Sequence, residues 1–202
     1  MFQAKELVDV SDKLGLIQVV KSKLVSQPDP AAAKLLAVLS EISKIYLALE
    51  EELTRYLALT LEPEEFADER ATLLELEGGK LDARMNAARG HCGRIYNIFT
   101  RYLSPWFKRI LRPEEVSMMD SLFAQMSLTD SMMLEAINNV SSWLTTEAQA
   151  VLDLLDQKKF VEAQQLISAA RREVLPARRA IASAMRRIYD IEADFIQASG
   201  AV

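Results

Sequence analysis

His91 is the only histidine in the chain, and this limits the chemistry that the sequence can carry. A carboxylate-bridged dimetal site in a helical bundle needs Glu-x-x-His pairs on facing helices, and Ala88 stands three residues before His91. Cys92 is adjacent to His91, and neighbouring residues of a helix point to different faces, so a Cys–His nucleophilic pair is not expected. The sequence also lacks a glycine-rich phosphate-binding loop of the common types. We therefore expect no enzyme activity, no metal site and no cofactor.

The residues around His91 leave one chemical role open, which is acceptance of a phosphoryl group. The segment Gly90-His91-Cys92-Gly93-Arg94 resembles the phosphoacceptor segment of histidine phosphotransfer domains, which are helical bundles with an exposed histidine in mid-helix. The family pattern is His-x-x-Lys or His-x-x-Arg followed by glycine, and Ile95 occupies the position of that glycine. The resemblance covers this short segment alone and implies an exposed His91 that takes part in phosphotransfer. The alternative is an ordinary surface histidine.

Basic residues recur along one side of the helix that contains His91. At about 100° per residue, one stripe is formed by Lys80, Arg84, His91, Arg94 and Arg101. Apolar residues between Leu81 and Leu103 form a second stripe, about 100° from the first around the helix axis. Such an apolar stripe is typical of a core face. The basic stripe, meaning Lys80, Arg84, Arg94 and Arg101, is therefore predicted to face solvent. Cys92 lies on the apolar side, so we expect a buried thiol without reactivity.

Aromatic and basic residues are interleaved directly after this stripe, between Tyr96 and Arg109. Such a composition suits a membrane interface or an aromatic anchor at a protein interface. The alternative is that Trp106 and Phe107 close the end of the bundle. Taken with the basic stripe, the candidate binding residues are Lys80, Arg84, Arg94, Arg101, Tyr102, Trp106, Lys108 and Arg109.

Proline, glycine and capping residues divide the chain into helical segments. The first two predicted segments are 5–25 and 31–61. The third starts at Pro63 and runs to Leu103, with a kink or short loop at Gly78-Gly79 and an end at Ser104-Pro105. A fourth helix from Pro113, a short stretch 147–155 capped by Thr145 or Thr146, and a fifth helix 158–198 with a bend at Pro176 follow. We expect an all-α fold, an elongated up-and-down bundle of four to five long antiparallel helices, as a single domain over residues 1–202.

The last segment has the most regular apolar pattern. Steps of three and four residues connect Phe160, Ala163, Ile167, Ala170, Val174, Ala177, Ile181, Ala184, Ile188, Ile191 and Phe195. This heptad seam predicts burial against another helix. The partner helix belongs either to the same chain or to a second molecule in a homodimer. A similar seam in the fourth helix is interrupted by Asp130, which is either paired with Arg171 or Arg178 or placed in water at a local break.

The formal net charge of −5 is modest, but the charges occur in blocks. Residues 63–79 are mostly acidic, residues 80–112 are mostly basic, and the charged residues of 113–157 are all acidic. The last segment is again rich in arginine, at Arg171, Arg172, Arg178, Arg179, Arg186 and Arg187. Either acidic and basic helices neutralise one another, with the basic stripe against the acidic segment 113–157, or one basic face remains unmatched and binds an anionic surface.

Composition sets the general class of the protein. Half of the residues are hydrophobic, which is enough for a sizeable core, and Cys92 as the single cysteine excludes an intrachain disulfide. The N-terminus lacks a secretory-signal pattern and no apolar run is long enough for a transmembrane helix, so we expect a cytoplasmic protein. The leading hypothesis is a non-enzymatic binding or adaptor protein that docks a protein partner. The alternatives are binding of anionic lipid or nucleic acid through the third and fifth helices, and phosphotransfer through His91.

Overall fold

The computed structural model describes residues 5–25, 30–62, 64–127 and 131–198. These residues form nine α-helices and one π-helical turn and contain no strand, so the fold is all-α. The helices are α1 (Lys5–Val25), α2 (Pro30–Leu57), α3 (Phe66–Glu77), α4 (Gly79–Ile98), the π-helical turn (Phe99–Leu103), α5 (Ser104–Ile110), α6 (Pro113–Ser127), α7 (Met132–Asp156), α8 (Phe160–Glu173) and α9 (Leu175–Ala198). Across the described ranges, no helix is both long and apolar enough to cross a membrane.

Helix α2 ends four residues earlier than the sequence pattern predicts, because a carboxylate binds the backbone beyond it. The Glu69 side chain is buried and accepts hydrogen bonds from the backbone N–H groups of Thr60 and Leu61, each at 2.6 Å. Leu61 has a φ of 57°, a left-handed conformation that a non-glycine residue adopts at a cost. The two hydrogen bonds to Glu69 hold the chain in that conformation and end the helix.

The predicted third helix is interrupted at the glycines and continues past the proline. Gly78 is extended, with φ −111° and ψ −169°, and separates α3 from α4, which confirms the predicted break. The predicted end at Ser104-Pro105 is wrong, because the π-helical turn leads directly into α5 and Pro105 lies in its first turn. A proline is tolerated there, since the first N–H groups of a helix have no partner within it. The chain becomes extended only at Leu111.

The predicted helix start at Thr145 or Thr146 is wrong. Helix α7 passes through both residues without a break, and Ser131 caps its N-terminus by accepting a hydrogen bond from the Leu134 N–H at 3.3 Å. The Thr146 hydroxyl donates to the Ser142 carbonyl at 2.9 Å, one turn earlier in the same helix, and so does not act as an N-cap, which would accept a hydrogen bond. The question of whether Asp130 is paired or wet lies outside the described residues.

The last segment is divided into α8 and α9 near Pro176, and its apolar pattern keeps its phase across the junction. Ten of the predicted seam residues are buried, from Ala163 to Phe195, which confirms the expected burial. Phe160 is the exception, with 44% of its surface exposed. The seam packs inside the chain, because α9 contacts α1 and α2 while α8 contacts α7 and α2. A homodimer through this seam would have to displace those helices.

Ion pairs reveal the relative directions of the helices. Glu52 pairs with Arg84 and Glu41 with Arg94, so α2 and α4 run antiparallel. The α1–α9 pair runs parallel, because Asp12 pairs with Arg187 and Lys21 pairs further along with Asp194.

We expect Ala184→Leu to lower the free energy of unfolding by roughly 1–3 kcal/mol, because added volume in a packed helix contact forces strain. Ala184 is fully buried in the seam. The matched control is Ala182→Leu, since Ala182 is exposed on the same helix. Urea denaturation measures both variants. Equal unfolding midpoints for Ala184→Leu and the native chain would contradict close packing at this position.

Candidate docking surface

Three residues of the basic stripe, Lys80, Arg84 and Arg94, pair with neighbouring acids. Lys80, Arg94 and Arg101 nevertheless remain exposed. Arg84 donates to the Glu52 carboxylate at 2.9 Å, and Glu52 is 1% exposed. Lys80 pairs with Glu75 at 2.6 Å. The predicted solvent-facing stripe is therefore largely matched within the chain. The matching acids belong to α2 and α3, whereas the sequence pattern had suggested the acidic segment 113–157.

His91 belongs to the same contact between α2 and α4. Its Nδ1 atom lies 2.6 Å from a Glu41 carboxylate oxygen, and only 17% of the side chain is exposed. Arg94 also donates to Glu41, and the Lys44 ammonium lies 2.6 Å from the second oxygen of that carboxylate. The prediction that His91 is an exposed surface residue is wrong, because Glu41 draws its ring into the helix contact.

Charged hydrogen bonds stabilise the ionised form of Glu41. Burial alone would raise the pKa of this carboxyl, but hydrogen bonds from Arg94, Lys44 and His91 outweigh burial and lower the pKa from 4.5 to about 2. Because the pKa is lower in the folded protein, ionised Glu41 stabilises the fold at pH values above the pKa that this carboxyl has in the unfolded chain. This stabilisation is lost as the pH falls toward 2.

We expect the free energy of unfolding of the Glu41→Gln variant to fall less between pH 5 and pH 2 than that of the native chain, because the variant has no carboxylate to protonate at this position. Urea denaturation at several pH values measures the free energy of unfolding of both proteins. At neutral pH the variant is expected to be the less stable protein. Parallel pH profiles for the two proteins would show that Glu41 is not held in its ionised form.

The aromatic–basic segment between Tyr96 and Arg109 separates into buried and exposed parts. Trp106 is 1% exposed and packs against Phe107 with ring centroids 5.6 Å apart, so it closes the end of the bundle and is not a surface anchor. Tyr102 is 47% exposed, and the Lys34 ammonium lies 5.0 Å from its ring centroid. The remaining candidates at this end are exposed: Arg101, Lys108 and Arg109.

The thiol of Cys92 offers no reactive group. The side chain is buried, as predicted, and burial raises the pKa of the thiol to about 11. Nucleophilic thiol chemistry needs the thiolate, which is scarce at neutral pH under these conditions. In the part of the chain that the structure describes, no three His, Cys, Asp or Glu side chains are grouped to hold a metal ion.

The arginines of α8 and α9 occur as three adjacent pairs, and one member of each pair binds this chain. Arg171 donates to the Leu57 carbonyl at 3.2 Å. Arg178 pairs with Glu50 at 2.9 Å, and Arg187 pairs with Asp12 at 3.2 Å. These contacts tie the two helices to α1 and to the end of α2. The other member of each pair projects away from the bundle.

Three outward arginines remain for an external partner: Arg172, Arg179 and Arg186. All three are exposed, and none makes a hydrogen bond or ion pair with another residue in the described ranges. They are spaced seven residues apart, so they lie on one side of the α8–α9 segment at intervals of about 10.5 Å. This is the positive charge that intrachain pairing leaves available on these helices.

An apolar row runs beside these arginines, also with a spacing of seven residues. The row consists of Val161, Ser168, Leu175, Ala182, Tyr189 and Ile196, all of which are exposed. The large members retain 62% of their surface at Val161, 44% at Leu175, 57% at Tyr189 and 48% at Ile196. We call this row, together with Arg172, Arg179 and Arg186, the outward face. The outward positions of a packed helix are ordinarily polar, so the row is not explained by the core.

The sequence carries a signal for this face in the residues that flank the heptad seam. From Val161 to Tyr189, each residue of the row lies two positions before an alternate seam residue, so Leu175 precedes Ala177 and Tyr189 precedes Ile191. That offset places it on the solvent side of a seam whose burial is correctly predicted. Comparisons with protein-family models, with curated proteins and with solved structures find no match to this chain.

Proposed function

We propose that the chain is a non-enzymatic binding protein that docks a protein partner on the outward face of α8 and α9. The observation that carries this proposal is the coincidence of two seven-residue spacings, one apolar and one of unpaired arginines. From Val161 to Ile196 the face extends about 50 Å along the helices. Aromatic and arginine side chains are the types most enriched among residues that dominate protein interfaces.

A protein surface suits this face better than a membrane. A helix that lies in a bilayer interface inserts a broad apolar side among the acyl chains. The broad apolar side of α8 and α9 is buried in the bundle, and the outward row presents one side chain per two turns. Binding of anionic lipid or nucleic acid is the alternative hypothesis, and it would use the same three arginines because the α4 stripe is largely engaged.

The finer architecture and location are part of the same proposal. We regard the molecule as an up-and-down arrangement of five helical rods. Two rods are the single helices α1 and α2, and the other three each consist of consecutive helices: α3–α5, α6–α7 and α8–α9. The first and last rods then point the same way, which agrees with the parallel pairing of α1 and α9. The proposed location is the cytoplasm, where the partner would also be found.

Capture from cells followed by affinity measurement tests the docking function. Proteins that co-purify with the native chain are identified by mass spectrometry, expressed separately and titrated against purified variants. The outward variant combines Arg172→Gln, Arg179→Gln and Arg186→Gln, while the control variant combines Arg101→Gln and Lys108→Gln, which are exposed outside α8 and α9. We expect the outward variant alone to lose affinity for the captured partner. Equal affinity of all three proteins would contradict docking on the outward face.

A further inference from the structure

We infer that the partner segment that occupies the outward face is an acidic amphipathic α-helix with an apolar residue in each heptad. This inference rests on the proposed docking function and names the chemistry of the partner. It follows from three properties of the face: its repeat, its alternation of side-chain size and its unpaired positive charge.

The repeat of the face matches a helix and not an extended strand. Seven residues of α-helix advance about 10.5 Å, so a partner helix with the same repeat stays in register along the whole face. A β-strand advances about 3.3 Å per residue, so 10.5 Å corresponds to a non-integral number of residues. Strand side chains also alternate between opposite faces, and an extended segment would therefore lose register after one or two contacts.

Small and large residues alternate along the row from Val161 to Tyr189. Ser168 lies between Val161 and Leu175, and Ala182 lies between Leu175 and Tyr189. The small residues leave depressions that are flanked by larger side chains. Packing of helices places a large apolar side chain of one helix into such a depression on the other. The row therefore offers positions for leucine-sized side chains of a partner helix.

The charge of the face selects acidic residues on that helix. The guanidinium groups of Arg172, Arg179 and Arg186 have no carboxylate partner in the described part of the chain. Planar guanidinium groups pair with carboxylates through two parallel hydrogen bonds, which adds geometric specificity to the charge. Asp or Glu side chains spaced seven residues apart on the partner would meet all three arginines.

The same charge argues against an antiparallel pairing of this face with a second copy of the chain. A twofold antiparallel pairing of the outward face would bring the arginine row of one copy against the arginine row of the other. Such juxtaposition of like charges is strongly unfavourable at an interface. The complementary charge must come from a different surface, which an acidic helix supplies.

Titration of the full chain with designed peptides tests the inference. The acidic probe is a fluorescently labelled, conformationally stapled helix of about four heptads with leucine at one position and glutamate at a flanking position of every heptad. A basic probe has lysine in place of glutamate, and a third probe has alanine in place of leucine. Fluorescence anisotropy gives Kd for each probe with the native chain, with the outward variant and with the Arg101→Gln, Lys108→Gln control.

We expect the acidic probe to bind the native chain and the control with equal Kd, and to bind the outward variant about tenfold more weakly, since each exposed charge pair contributes a fraction of a kcal/mol. A charge-reversed chain, with Arg172→Glu, Arg179→Glu and Arg186→Glu, should instead bind the basic probe. Replacement of leucine by alanine in the acidic probe should weaken binding to every protein that binds it.

Different failures have different meanings. Loss of the captured cellular partner in the outward variant, without binding of the acidic probe, would overturn the inferred helix while leaving the docking function in place. Capture that does not depend on the outward arginines would remove the docking function itself. Arginine-dependent binding of phosphatidylserine vesicles or of an oligonucleotide, with no binding of the acidic probe, would overturn both in favour of an anionic surface. Equal binding of acidic and basic probes to the native chain would also overturn the inference.

Discussion

Replacing Arg84 by methionine is expected to lower the free energy of unfolding by about 3 kcal/mol at neutral pH. The Glu52 carboxylate is 1% exposed, and Arg84 donates a hydrogen bond to it at 2.9 Å. Removal of one partner from a buried ion pair leaves an uncompensated charge, which is far more costly than loss of a surface pair. Urea denaturation of the variant measures the effect.

Two further variants separate buried charge from simple loss of an arginine. Arg179→Met removes an exposed, unpaired guanidinium and should change stability by less than about 0.5 kcal/mol. The double variant Arg84→Met, Glu52→Leu should recover much of the loss, because apolar replacements of a buried pair are frequently tolerated. An unfolding curve of Arg84→Met that coincides with that of the native chain would show that this part of the basic stripe faces solvent.

Trp106→Ala is expected to lower the free energy of unfolding by roughly 3–5 kcal/mol, the usual cost of removing a buried tryptophan from a core. Trp106 is 1% exposed and contacts the Phe107 ring, which also stacks on Phe123 at 6.0 Å between centroids. Equilibrium urea denaturation, followed by circular dichroism, measures the loss. A matched control is Tyr102→Ala, which removes a ring that is 47% exposed at the same end.

The two outcomes distinguish a core plug from a surface anchor. If Trp106 closes the bundle, only the Trp106 variant loses stability, and a Trp106→Phe variant keeps most of it because a large apolar ring still fills the site. Similar small effects for Trp106→Ala and Tyr102→Ala would contradict the buried position of Trp106.

Helical periodicity predicted the features that depend on a single helix. The bounds of the first helix agree with Lys5–Val25, the break at Gly78 is present, and the seam from Ala163 to Phe195 is buried. These features follow from glycine and proline chemistry and from the 3.6-residue repeat, which act locally. Predicting these features does not require knowing which helices pack against each other.

The position of the basic stripe could not be predicted in the same way. Periodicity gives the angle between the basic and apolar sides of α4, but it does not say which other helix covers each side. Glu41 and Glu52 lie thirty or more residues before their partners in α4, and both belong to a helix whose own pattern looks simply apolar on one side. The charge blocks suggested residues 113–157 as the partner, whereas the packing of α2 on α4 supplied it.

The sequence left open whether Trp106 closes the bundle or anchors a partner, because the helix changes its pitch before this residue. The π-helical turn Phe99–Leu103 places an extra residue in one turn and shifts the phase of the residues that follow. Extrapolation of a 3.6-residue repeat through this turn cannot locate the side chains of Trp106 and Lys108. The structure shows that the first of them is buried and the second exposed.

Docking of a protein on the outward face of α8 and α9 is tested by the affinity of the captured partner for three purified proteins. Isothermal titration would compare the native chain, the Arg172→Gln, Arg179→Gln, Arg186→Gln variant and the Arg101→Gln, Lys108→Gln control. We expect about a tenfold rise in Kd for the outward variant and no change for the control. An unchanged Kd for the outward variant, or an equal rise for the control, would contradict it.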